Sequence, residues 1–406
     1  MNRARNYPLL LASQFWSAFG DNFILVLILG PILTEFQKGK ISAQSQSLAN
    51  ICYTSLLFIP YVLLAPVAGY LNDRYAKSRW LLGGNFIKLI GAGLTALGLV
   101  AGSAWQAIGY LAVGIGSCVY SPAKYGILPE ILPAERLVKA NGAMEFLTLV
   151  AILSAGIAGG KAFDQLPLPA CYLIAIAIYA LSLTLNLFMA RTPSYPEVRF
   201  RDSLSGFLRN VRDLFSQKRL ARILMGTALF WICGAILKMN FQPWGQQVLH
   251  LANMTQISLL GLWLGIGVMA GSVLAGQLYS VGELRATRRY GWILAAAIAA
   301  LASIGWLLQH GFDHPRTLSI SILIVTGLVA GLFLIPLNAA LQAESHKDKL
   351  GKTIATQNGF ENLAMLGGSL LAFSQVKFGF NPSELLLALA GFVTLVVLWL
   401  KIPVKK

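Results

Sequence analysis

The residues best placed to do chemistry are charges set where charge is costly. Asp21 and Asn22 stand inside the apolar stretch QFWSAFGDNFILVLILGPIL, and Lys238 stands inside FWICGAILKMN. A charge near the midpoint of a membrane helix costs roughly 2.5–3.5 kcal/mol on insertion scales, so such a residue faces protein and finds a partner. Lys238 is the expected partner of Asp21, because the helices that carry them occupy matching places in a duplicated chain. An opposed pair of this kind can receive a charged solute or simply hold two helices together. Asn22 both donates and accepts beside Asp21. Lys88, a third charge in an apolar run, reads as buried against a carbonyl or reaching toward the surface. Glu145 and Glu361 sit early in two matched spans and read equally as a gate or as carboxylates facing a helix N-terminus. Lys124 follows Ser121-Pro122, where a proline ends or bends a helix, so it projects into a cleft or marks the cytoplasmic side.

Other chemistries find little support. The four cysteines, Cys52, Cys118, Cys171 and Cys233, fall in apolar runs without pairing or metal-ligand spacing and read as small core residues. The four histidines lie at or near loops, and no Gly-x-Ser-x-Gly stretch is present. A nucleophile with its base is therefore not expected, and neither is a cofactor or a metal.

The elements that must position these charges are membrane helices. The chain has 406 residues, 56% hydrophobic and 12% charged, with a mean hydropathy of +0.65. Soluble domains carry about 25% charged residues. The pattern predicts twelve spans. The first six run 9–33, 48–71, 80–101, 104–120, 141–160 and 170–189. The second six run 223–248, 259–278, 290–308, 318–337, 353–373 and 385–402. The net charge of +16 follows membrane topology rather than a nucleic-acid surface. With both termini in the cytoplasm, only Lys38, Lys40, Lys161, Arg316 and Lys377 fall outside, and Lys88 and Lys238 lie within spans; the other lysines and arginines are internal, as orientation by positive charge requires. The first apolar stretch runs straight into a span, so no cleavable signal is expected.

Residues 1–190 and 223–406 form the two expected six-helix bundles, joined by a basic cytoplasmic linker over 191–222. Within it Leu204, Phe207, Leu208, Val211, Leu214 and Phe215 recur at helical spacing among Arg209, Arg212 and Lys218. That pattern suits a helix lying on an anionic leaflet, or a solvated connector. The halves repeat one another. Phe15-Trp16 matches Phe230-Trp231, SPAKYGILPE (Ser121–Glu130) matches IPLNAALQAE (Ile335–Glu344), and Glu145 matches Glu361, all at a nearly constant offset. Ordered matches of this kind indicate internal duplication, and a parallel duplication of six spans places a ligand between two bundles near the midplane.

The stretch GYLNDRYAKSR, with Gly69, Asp73, Arg74, Lys77 and Arg79, resembles the signature of the major facilitator superfamily. Its glycine would allow close helix contact and its charges would latch the halves on the cytoplasmic side; GQLYSVGELRATRR in the second half keeps a trace of it. The blocks QFWSAFGDN, YSPAKYGIL, KANGAMEF, FLIPLNAALQ and QNGFEN resemble the bacterial lysophospholipid transporters of that superfamily. The resemblance implies inward movement of lysophosphatidylethanolamine, and of lysophosphatidylglycerol, across the bacterial inner membrane by alternating access. It implies a monomer whose product is reacylated by a cytoplasmic acyltransferase–acyl-carrier-protein synthetase. Lys238 and Lys124 would then meet the phosphate, while Asp21, Asn22, Glu145 and Glu361 serve the ammonium and the gate. Gly83, Gly84, Gly91, Gly93, Gly114 and Gly116 would thin the helices that admit the acyl chain. The family pattern favours arginine at Lys238, so the charge is kept without the planar fork. The alternative is a proton-coupled exporter of drugs or metabolites, titrating Asp21, Glu145 or Glu361.

Overall fold

The computed structural model describes residues 5–133, 137–279, 283–344 and 350–403, and over these it is all helix and turn. Arg3, Arg136, Lys347, Lys349, Lys405 and Lys406, used above for orientation, lie outside the described residues. The first unit opens with α1 (Asn6–Gln37), which carries Asp21. The expected second span is broken into α2 (Ala43–Leu56), α3 (Ile59–Leu63) and α4 (Ala65–Arg74). Pro60 and Pro66 stand in the first turns of α3 and α4, where a missing N–H costs nothing, whereas mid-helix it would leave a carbonyl unmatched. The break is packed. A Cβ added at Gly114 would lie 3.0 Å from the Leu56 carbonyl oxygen and 3.2 Å from Pro60 Cγ.

Gly102 alone separates α5 (Lys77–Ala101) from α6 (Ser103–Gly126), with φ of 98°, a conformation glycine adopts without penalty. The two helices touch backbone to backbone. A Cβ at Gly84 would lie 2.8 Å from the Gly116 oxygen, and one at Gly91 2.6 Å from the Gly109 oxygen. Gly84, Gly91 and Gly116 thus close a helix contact instead of opening a slot for an acyl chain. Gly83 meets only the Trp80 ring, and a Cβ at Gly93 would meet no described atom within 4 Å. Then come α7 (Leu128–Ile131), α8 (Leu137–Gln165) and α9 (Leu168–Leu187). Leu10, Leu81, Tyr120, Ile127, Leu128 and Met144 form a buried core where α1, α5, α6, α7 and α8 converge.

The linker holds α10 (Phe200–Ser216). Its Leu214 is buried, and its Phe215 ring stands 5.1 Å from Phe360, while Arg209 and Arg212 are exposed. The C-terminal turn of α10 is therefore docked on protein through the apolar side expected to meet lipid. The second unit continues with α11 (Lys218–Gln247), α12 (Met254–Leu278), α13 (Thr287–Gln309), α14 (Pro315–Glu344), α15 (Leu350–Lys377) and α16 (Pro382–Trp399). Helix α16 begins with a capping box in which Asn381 accepts from Ser383 and Glu384, and Glu384 accepts from the Asn381 amide. Helices α12 and α14 approach even more closely than α5 and α6. Cβ atoms at Gly267, Gly271 and Gly327 would collide with the carbonyl oxygens of Ile324, Leu328 and Leu264. Small residues at such contacts are the usual means of packing helices in lipid.

Nine described helices are long and apolar enough to cross a membrane. The broken α2–α4 run, α6 and α15 occupy the places of the other three expected spans. Large side chains such as Val100, Leu173, Leu395 and Phe378 are left exposed on the helices and at their ends, a surface that lipid accepts and water does not. Contacts divide the chain into two compact units, residues 1–31 with 53–208, and residues 32–52 with 209–406. The division falls inside α10, not at its ends. It also assigns the end of α1 and most of α2 to the second unit. Gln37 Nε2 donates to the Ala252 oxygen at 2.7 Å and Gln44 Nε2 to the Val376 oxygen at 2.8 Å.

Gly271→Val is expected to destabilise the detergent-solubilised protein by about 1–3 kcal/mol, the usual cost of overpacking, and to lower its melting temperature. Gly391→Ala, where an added Cβ meets no described atom within 4 Å, should leave it unchanged or raised. Equal losses in both would contradict the packing described.

Candidate functional site

Four helices of the first unit bring their polar residues to one line. Helix α1 carries Ser13, Ser17 and Asp21 at four-residue intervals, so they share a face. Helix α5 carries Asn85 and Lys88, α6 carries Ser117 and Tyr120, and α9 carries Tyr179, Ser182 and Asn186. Lys88 Nζ lies 2.7 Å from Asp21 Oδ2 and donates to Ser17 Oγ at 2.8 Å. Ser117 Oγ donates to the same Asp21 oxygen at 2.9 Å, and Tyr179 OH donates to Oδ1 at 2.9 Å. The Tyr120 ring stands 5.3 Å from the ammonium, within cation–π range. Below the pair, Ser17 donates to Asn85 Oδ1, and Asn85 Nδ2 donates to Ser182 and to Asn186. Asn186 in turn donates to Ser13 Oγ, which is hydrogen-bonded to Tyr120 OH at 3.1 Å.

This arrangement corrects the expected pairing. The counter-ion the structure gives Asp21 is Lys88 of α5, where Lys238 had been expected. Lys88, 2% exposed, meets a carboxylate and a hydroxyl instead of a carbonyl. Matching positions in a duplication carry no information on which helices pack side by side, and α1 has α5 and α9 for neighbours. Gly20 completes the fit, since a Cβ there would lie 2.8 Å from the Tyr179 ring. Both carboxylate oxygens are occupied and the pair adds no net charge. Chemically it is a satisfied ionic core, with Asp21 14% exposed at its edge.

Asn22 Nδ2 donates to the Ala18 oxygen one turn back, and the orientation of Asp21 is set by Lys88, Ser117 and Tyr179. Lys238 is half-buried in the C-terminal half of α11, between buried Leu237 and Met239. Lys124 lies in the last turn of α6, which continues through Pro122 to Gly126, and its Nζ stands 4.7 Å from the Tyr125 ring. Glu361 is 5% exposed and accepts from Gln357 Nε2 at 2.8 Å, which also donates to Asn338 Oδ1. It is well inside α15, so the reading of a carboxylate at a helix start is dropped. Glu145 likewise lies beyond the first turn of α8; its side chain is outside the described residues.

In the signature stretch, a Cβ at Gly69 would meet no described atom within 4 Å, so the expected close helix contact is not made there. Arg74 donates to Tyr70 OH at 2.8 Å and to the Val198 oxygen, while its own carbonyl accepts from Tyr195. Lys77 pairs with Glu130 at 2.5 Å, both largely buried. Asp73 and Arg79 are exposed. Glu130 has a duplicated partner, Glu344, which takes a bidentate bond from Arg219 through Nε at 2.8 Å and Nη2 at 2.8 Å. Arg219 also donates to the Pro403 oxygen and Arg222 to the Lys401 oxygen. The same glutamate thus holds a cation in each unit. Sequence reasoning saw the repeat and missed the cations that answer it.

Removing one partner of a buried ion pair costs about 3–5 kcal/mol, because the other is left uncompensated. Lys88→Met should destabilise the protein on that scale in thermal unfolding, and Asp21→Asn added to it should recover most of the loss. A double variant as unstable as the summed single variants would contradict a coupled pair.

Comparison with known proteins accords with this architecture. The model of the Major Facilitator Superfamily matches residues 10–369. The lysophospholipid transporter LplT of Photorhabdus laumondii subsp. laumondii is 32% identical over 366 residues, covering 89% of this chain and 86% of that protein. The LplT of Enterobacter sp. is 33% identical over 359 residues, covering 87% and 85%. Among solved structures, the D-xylose-proton symporter superposes with a TM-score of 0.74 at 14% identity over 98% of each chain. A bacterial homologue of the human lysosomal transporter Spinster, inward-facing and unoccupied, gives 0.70 at 14% identity over 98% and 96%. These two share the fold. The chain belongs to the Major Facilitator Superfamily and, within it, to the family of the bacterial lysophospholipid transporters.

Proposed function

We propose that this protein moves lysophospholipids, lysophosphatidylethanolamine foremost and lysophosphatidylglycerol with it, inward across the bacterial inner membrane by alternating access. The observation that carries the reading is 32–33% identity, over nearly nine tenths of the chain, to proteins named lysophospholipid transporters. Both termini are cytoplasmic in this reading, the protein works as a monomer without a chemical step, and a cytoplasmic acyltransferase–acyl-carrier-protein synthetase consumes the product.

A zwitterionic amphiphile requires a cation for its phosphate, an acid for its ammonium, and an apolar path for one chain. Lys238, half-buried on a membrane helix, is the first cation, with Lys124 nearer the helix end. Glu361, buried and oriented by Gln357, serves the ammonium, together with Glu145. Asp21 acts through its pair with Lys88, holding the wall on which Asn22 is presented. Gly69, Asp73, Arg74, Lys77 and Arg79 form the cytoplasmic gate, with Lys77 held ready by Glu130. No specific observation favours the proton-coupled exporter.

In spheroplasts lacking the endogenous carrier, Lys238→Ala should lower uptake of labelled lysophosphatidylethanolamine by about tenfold or more, as loss of a charged hydrogen bond of roughly 1.5–3 kcal/mol requires. Lys238→Arg should retain uptake, and both should reach the membrane at the normal level. Normal uptake by Lys238→Ala would remove that residue from the site. Absence of lysolipid uptake by the unaltered protein would overturn the function.

A further inference from the structure

Gln46 and Asn50 lie one turn apart on α2, 0% and 1% exposed, and that spacing sets them on one helix face. Gln247 Nε2 of α11 donates to Gln46 Oε1 at 3.1 Å, and Asn50 Nδ2 donates to the Gln46 carbonyl oxygen at 2.9 Å. These two bonds fix how each amide is turned. They leave Gln46 Nε2, a donor, and Asn50 Oδ1, an acceptor, buried with no hydrogen-bond partner among the described residues. A buried polar group left without a partner destabilises the state that holds it. A leucine at either place would avoid that cost, so a polar partner taken up in another step of the cycle is the economical explanation.

We propose that Gln46 and Asn50 recognise the free glycerol hydroxyl of a lysolipid. One donor and one acceptor without partners, a helix turn apart on one face, match an alcohol, whose oxygen would accept from Gln46 Nε2 and whose O–H would donate to Asn50 Oδ1. The inference rests on the lysolipid reading above and deepens it. The glycerol hydroxyl is what a lysolipid has and its diacyl parent lacks, and in lysophosphatidylethanolamine it is the one alcohol in the molecule. A site built to bond a hydroxyl rejects an analogue without it, because the buried protein groups are then left unpaired.

The test compares uptake of labelled lysophosphatidylethanolamine with that of its 2-deoxy analogue, which keeps headgroup and chain. The unaltered protein should favour the hydroxyl-bearing lipid by about tenfold or more. Asn50→Leu should bring the ratio close to one, mainly by lowering uptake of the hydroxyl-bearing lipid, and Asn50→Asp, which keeps an acceptor, should preserve the preference. If Asn50→Leu does not reach the membrane, Gln46→Met gives the same comparison with the donor removed. Equal uptake of both lipids by the unaltered protein, as expected if water alone serves these amides, would overturn the pair and leave lysolipid transport standing. A ratio unchanged in both variants would do the same. Uptake of neither lipid would sink the transport reading itself.

Discussion

The first unit depends on one constraint, that a carboxylate within a membrane helix must have its charge answered inside the protein. Asp21 meets it with an ammonium and two hydroxyls from three different helices. An ion pair taken out of water seldom gains more than it loses unless its remaining lone pairs and protons are also matched. Here they are, through Ser17, Ser117, Tyr179 and the face of Tyr120. The consequence is geometric: α1, α5, α6 and α9 can satisfy Asp21 together in few arrangements. The chain of Asn85, Ser182, Asn186 and Ser13 extends that specification along the bundle.

The same economy appears near the helix ends in a different form. Each half of the duplication keeps a glutamate shortly past a helix proline, Glu130 after Pro122 in one and Glu344 after Pro336 in the other. Lys77 answers the first from the start of α5, and Arg219 the second from the start of α11. The acid was retained through divergence while the cation came from a different place in each unit. Pseudo-symmetry therefore constrains the backbone and the acid more than the side chain that meets it. Glycine contacts diverge likewise, joining α5 to α6 in one unit and α12 to α14 in the other.

Much of the fold was legible because lipid imposes a simple rule. Apolar runs of membrane length gave the helices, and the places of lysine and arginine gave their expected orientation. The broken second span was less visible, since Pro60 and Pro66 interrupt a run whose hydropathy continues across them. For the site, the sequence showed that Asp21 needs a partner but not which one. The duplication pointed to Lys238, whereas packing of α1 against α5 decided for Lys88, and packing is a tertiary fact. A closer signal was present in the polar residues of α1 at 13, 17 and 21 and of α9 at 179, 182 and 186. A helix that repeats polar residues on one face within lipid is turned toward other polar residues. Asp21 was legible as a charge that matters, but its chemical role was not.

The central claim is that the charge of Asp21 is consumed within the first unit and serves its architecture. It is tested most directly by lysophosphatidylethanolamine uptake in the neutral double variant Asp21→Asn/Lys88→Met, at matched membrane levels. The double variant should transport better than either single variant, because the pair is removed together. A double variant that reaches the membrane normally and yet carries nothing would contradict it, and would make one of those charges a ligand in its own right.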